Sequence, residues 1–119
     1  MPHLIYKICD GDLWADAVKT GFFAGAAVDL ADGYIHFSTA DQVAETAARH
    51  FAGRSGLILA AVDAGALGGA LKWEPSRGGA LFPHLYASMP ISAVAWTVPL
   101  PLGEDGRHLF PDLTTGGSR

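Results

Sequence analysis

Leu57-Ile58-Leu59-Ala60-Ala61-Val62 is a continuous apolar run closed by Gly56 and Asp63. Six apolar residues without alternation describe a strand covered on both faces, so the chain must build layers on either side of it. The run is predicted to be the central strand of the sheet. Around it, Leu4 to Ile8 alternates as a strand would, residues 34–38 and 81–87 alternate again, and a strand ends near Glu74. In residues 93–98, Val94, Trp96 and Val98 share one face before Pro99 and Pro101 stop the strand.

Two helices fit between these strands. Leu13, Trp14, Ala17 and Val18 recur at helical spacing behind Asp10 or Asp12 as cap, and Gly21 is placed to end the helix. Thr39 and Gln42 have the form of a capping box ahead of a helix from about Ala40 to Phe51, whose apolar face is Val43, Ala44, Ala47, Ala48 and Phe51. Between Gly21 and Asp32 the pattern is irregular and reads as a loop or a short element, a candidate flap. Strands outnumber helices and their later connections are too short for helical crossovers. The expected fold is α+β, with a mostly antiparallel sheet and two main helices. With 119 residues, half of them apolar, one compact domain over 1–102 and a loop-like tail over 103–119 follow, with Phe110 and Leu113 able to dock back.

Charge and cysteine usage exclude several classes. A formal net charge of −4, with eight scattered Lys and Arg residues, gives no cationic footprint for duplex nucleic acid. Cys9 is the single cysteine, so there is neither an internal disulfide nor a thiolate zinc cage, and its plain reading is a small buried residue at the end of the first strand. No apolar run reaches membrane-spanning length and the first residues lack a leader pattern, so a soluble cytoplasmic protein is expected.

Chemistry concentrates in Gly33–Thr39, Trp73–Arg77 and Phe82–Tyr86. On alternating strands Tyr34, His36 and Ser38 share one face, as do His84 and Tyr86. The candidate catalytic residues are His36, Glu74, His84 and Tyr86; the candidate ligand-binding residues are Tyr34, Ser38, Thr39, Trp73 and Arg77. A lone strand histidine reads first as a satisfied, partly buried imidazole, while the two together read equally well as structure or as a site whose groups exchange protons near neutrality. Glu74 could stabilise positive charge or take a proton, or simply pair with Arg77 on the neighbouring turn; Arg77 could instead hold a phosphate or carboxylate. No metal site is expected, because there is no His-x-x-x-His pair, and neither a glycine-rich phosphate loop nor a Gly-x-Ser-x-Gly setting around Ser38 is present.

These segments resemble the bacterial family known as domain of unknown function 952, through Ile5-Tyr6-Lys7-Ile8, Trp14, Asp32-Gly33-Tyr34-Ile35-His36-Phe37-Ser38-Thr39, Gln42, Leu57 to Asp63, Trp73-Glu74, Arg77 and Phe82-Pro83-His84-Leu85-Tyr86. The resemblance implies an ADP-ribosylation-like fold, with a split antiparallel sheet that clasps the nicotinamide end of NAD. By that analogy His36 binds the ribose, Tyr86 stacks on nicotinamide and Glu74 stabilises an oxocarbenium-like transition state, although Glu74 precedes the His84/Tyr86 strand where the analogy places its glutamate later. Three readings stay open. The first is an ADP-ribosyltransferase-like transferase or NAD glycohydrolase. The second is a non-catalytic module binding a nucleotide or another small anionic ligand through His36, His84 and Arg77. The third is a homodimer face formed by Tyr34, Trp73 and Tyr86.

Overall fold

The computed structural model describes residues 3–113. Its element order is β1 (Leu4–Asp10), α1 (Gly11–Thr20), β2 (Phe22–Phe23), α2 (Ala27–Asp32), β3 (Ile35–His36), α3 (Val43–His50), β4 (Leu57–Asp63), β5 (Leu71–Pro75), β6 (Leu81–Leu85), β7 (Met89–Pro90) and β8 (Val94–Pro99), with short 3-10 turns between β4 and β8. Every strand pairing is antiparallel, and the fold is mixed α+β. Two three-stranded sheets, ordered β1-β4-β8 and β3-β6-β5, carry the architecture, and β2 pairs with β7.

β4 is the central strand of the first sheet, and Leu59, Ala60, Ala61 and Val62 are wholly buried, as a run without alternation requires. The strand separates two cores. Ile5, Cys9, Trp14, Phe23, Ile35, Phe37 and Leu85 pack on one side, and Tyr6, Ile8, Val43, Ala47, Leu59 and Leu100 on the other. Phe110 and Leu113 dock on the second core, and His108 bonds the Arg54 carbonyl oxygen, so part of the C-terminal segment is tied to the domain.

Among the described residues, the two sheets meet at a single bridge, where Tyr6 and Ser38 exchange backbone hydrogen bonds of 2.8 and 2.9 Å. Pro83 marks the split. Its carbonyl accepts from the Phe37 amide at 3.0 Å, but the proline has no N–H to return the bond. The chain accordingly leaves β6 after Phe37 and crosses to β1, opening a cleft along the outer edge of β1.

The segment after Gly21, expected as a loop or a short element, holds the two-residue strand β2 and a short third helix, α2. α3 begins at Val43 rather than Ala40, and Ala44 and Ala48 face solvent, so its buried stripe is Val43 and Ala47 with Phe51 beside them. Half of the expected capping box forms: the Gln42 carboxamide oxygen accepts from the Thr39 amide at 3.0 Å. Asp10 stands before α1, but its carboxylate is turned to Arg54 at 2.9 Å instead of capping the helix. Gly21 closes α1 with φ of 88°.

Cys9 is buried, and burial pushes its thiol up to about 11. The native protein is therefore expected to be inert to a disulfide reagent at pH 7 and to react promptly once unfolded in denaturant. Rapid native labelling would contradict this placement. Among the described residues, no helix is long and apolar enough to cross a membrane.

Candidate functional site

The second sheet has one apolar and one polar face. Ile35, Phe37 and Leu85 enter the core, so alternation turns His36, Ser38, Phe82 and His84 the other way. His36 and His84 are direct cross-strand partners, with ring centroids 5.5 Å apart. Tyr34 lies over both histidines at 4.6 and 4.2 Å, and Tyr86 adds a fourth ring 5.2 Å from Tyr34.

His36 is held from below by α2. Asp29 is buried, and its carboxylate accepts from His36 Nδ1 at 2.6 Å, the His36 amide at 3.1 Å, the Ala26 amide at 2.8 Å and Lys7 Nζ at 2.8 Å. Lys7, also buried, donates further to the His36 carbonyl oxygen at 2.9 Å. Gly25 makes this packing accessible: at φ of 119°, a Cβ there would lie 2.8 Å from Asp29 Cβ. Burial by itself would raise the Asp29 carboxyl, but the hydrogen bond from His36 and the charge of Lys7 overcome it and hold Asp29 at about 2. Burial pulls the Lys7 ammonium below its usual range, and Asp29 opposes that pull. On the other edge of the ring, His36 Nε2 meets Asp32 Oδ2 at 2.9 Å. With a carboxylate oxygen within hydrogen-bond distance of each ring nitrogen, His36 has both nitrogens engaged by its own chain.

His84 is wired differently. Its Nδ1 lies 2.8 Å from Glu74 Oε1, and the Tyr86 hydroxyl donates to the same oxygen at 2.7 Å. Those two bonds hold the exposed Glu74 carboxyl below its usual range, and the bond to Glu74 pushes the Tyr86 phenol up to about 12. An ionised Glu74 only accepts, so the Nδ1 of His84 carries a hydrogen, and in the neutral ring Nε2 is then the acceptor. Among the described residues, Nε2 has no hydrogen-bond partner.

A cavity of about 670 Å³ follows the split between the sheets. Tyr34, His36, Ser38, Phe82 and His84 form one wall, the β1 edge from Tyr6 to Asp10 another, and Ala26 to Val28 of the α2 region with Asp32 a third. Arg54 and His50 stand at the end near α3. Glu74 and Tyr86 are outside this lining, on the solvent side of His84. Asp32 is therefore the carboxylate that meets the cavity beside the rings. Burial, then Asp32 and Glu74, raise the Tyr34 phenol, which registers the negative field there.

Of the residues expected from sequence, Tyr34, His36, His84, Glu74 and Tyr86 come together in one cluster. Ser38 lines the cavity, but its hydroxyl is engaged by Thr46 at 2.8 Å. Thr39 is not part of the wall and serves the turn into α3. Trp73 is not brought in either: it projects from the opposite face of β5 and stacks on His3, with centroids 5.6 Å apart. Since Trp73 and Tyr86 leave opposite faces of one sheet, they form no shared homodimer patch with Tyr34. The side chain of Arg77 lies outside the described part of the structure. Lys7, Asp29 and Asp32 were missed as site residues. The one signal was Lys7, a charge inside an otherwise apolar strand. Among the described residues, no cluster of His, Cys, Asp or Glu is disposed to hold a metal ion.

Fold and motifs together place the chain in a family: it belongs to the one described as "Protein of unknown function (DUF952)", whose profile matches residues 8–97. It is similar to protein CC0527 from Caulobacter crescentus. The crystal structure of that protein is 51% identical, with a TM-score of 0.86 over 89% of this chain and 93% of that one. Its solution NMR structure is 50% identical, with a TM-score of 0.80 over 93% of each chain. No curated protein matches.

Proposed function

We propose that this protein is an ADP-ribosyltransferase-like transferase or glycohydrolase with an ADP-ribosylation-like fold, acting in the cytoplasm on the bond between ribose and a cationic base, as in NAD. One observation carries the reading: Tyr34 lies among His36, His84 and Tyr86, with Asp29, Asp32 and Glu74 around them, while the nearby Lys7 is buried and neutralised by Asp29. Such a cavity end favours a positive ring before cleavage and the oxocarbenium charge that develops on ribose during it. Asp32, which meets the cavity, is the carboxylate suited to that charge, and Glu74 orients His84. His36, with both nitrogens bound, is a positioning residue and not the ribose ligand that analogy suggests.

The test is incubation of the purified protein with NAD, following free nicotinamide by chromatography. Release that scales with protein concentration is expected; none above the protein-free blank would overturn the reading. The second reading, a non-catalytic binding module, draws support from the saturation of His36, since that half of the cluster needs no ligand. It predicts saturable binding of a nucleotide without release. With Asp29 paired to Lys7, the carboxylates that disfavour an anionic ligand at the Tyr34 end are Asp32 and Glu74.

A further inference from the structure

We infer that His84 is the general base that activates a hydroxyl nucleophile, water or an acceptor alcohol, through its Nε2. This rests on the glycosidic reading proposed above. The two histidines of the site differ in one respect that decides their chemistry. His36 meets carboxylates with both nitrogens. His84, a residue that lines the cavity, gives Nδ1 to Glu74 at 2.8 Å, and among the described residues its Nε2 has no hydrogen-bond partner.

His84 is almost fully buried, its ring pressed by Tyr34 at 4.2 Å, so its orientation is fixed before any ligand arrives. Glu74 is fixed in turn, because Oε1 also accepts from Tyr86 at 2.7 Å. A base whose far nitrogen is oriented by a carboxylate, itself oriented by a third group, is the arrangement that draws a proton from a hydroxyl.

The step balances without a further reactant. The bond from ribose C1′ to the ring nitrogen breaks, and its electron pair neutralises the cationic ring. The hydroxyl oxygen forms the new bond to C1′, its proton passes to His84 Nε2, and Glu74 stabilises the imidazolium. Water gives hydrolysis; an alcohol in its place gives transfer to oxygen.

Two variants test this with NAD as substrate. His84→Asn keeps a donor for Glu74 without a base at Nε2, and is expected to lower kcat for nicotinamide release by on the order of 10²–10⁴-fold, with KM nearly unchanged. His84→Ala leaves a gap in which added imidazole is expected to restore release in proportion to its concentration. A folded Asn variant with wild-type kcat, or an Ala variant that imidazole does not rescue, would overturn the role of His84 while wild-type release preserved the glycosidic reading. No release by the wild type would overturn both.

Discussion

Asp29→Asn is expected to destabilise the protein by about 3–5 kcal/mol, because it removes one partner of a buried ion pair and leaves Lys7 charged and uncompensated. At 119 residues this corresponds to a fall in Tm of on the order of 10–20 °C, a large part of the stability of a domain this size. The loss extends past the pair. Asp29 also accepts from the Ala26 and His36 amides, so the substitution unties α2 from β3. Lys7→Met on top of Asp29→Asn removes the stranded ammonium and is expected to recover part of the loss, giving a double variant more stable than Asp29→Asn alone. Thermal unfolding by circular dichroism reads both; an Asp29→Asn variant within 1 °C of wild type would show that the network carries no stability.

The same group sets an acid limit. Asp29 is held at about 2 in the fold, against 3.8 for the free side chain. A depressed carboxyl stabilises the native state at pH above the unfolded value, and that contribution, about 2 kcal/mol, is lost as pH falls from about 4 to 2.

The second large effect falls on turnover. Asp32→Asn is expected to lower kcat for nicotinamide release from NAD by about 10²-fold or more, since it removes the carboxylate that meets the cavity beside Tyr34. Stability is expected to change by less than about 1 kcal/mol, because Asp32 is exposed at the end of α2 and a solvated contact of this kind contributes little. Equal kcat in the variant would assign the charge stabilisation elsewhere. A drop in Tm matching that of Asp29→Asn would mean that Asp32 is structural.

Much of the frame is legible in the chain, because the responsible signals are local. The Leu57–Val62 run, the alternation of Val94, Trp96 and Val98, and Gly21 at the end of α1 each announce their structure within a few residues. His36 and His84 share a face for the same reason: period-two alternation puts each on the polar side of its own strand. What sequence did not reveal depends on partners distant in the chain. Asp29 reads as one more acid in an irregular segment until Lys7, 22 residues away, is placed beneath it. Ala44 and Ala48 are small enough to face solvent at little cost, so their apolar character misled the helix stripe. Trp73 and Glu74 are adjacent in the chain, yet adjacent residues of a strand leave opposite faces, and Glu74 alone of the two meets His84.

The measurement that tests the central claim most directly is an NMR titration of the isotope-labelled protein with NAD and with ADP-ribose. The account predicts saturable shifts with NAD centred on the amides of Asp32, Tyr34, His36 and His84, together with nicotinamide signals that grow with time. Unchanged spectra at millimolar NAD would contradict it, and the cluster would then be explained as a structural network around Asp29 and Glu74.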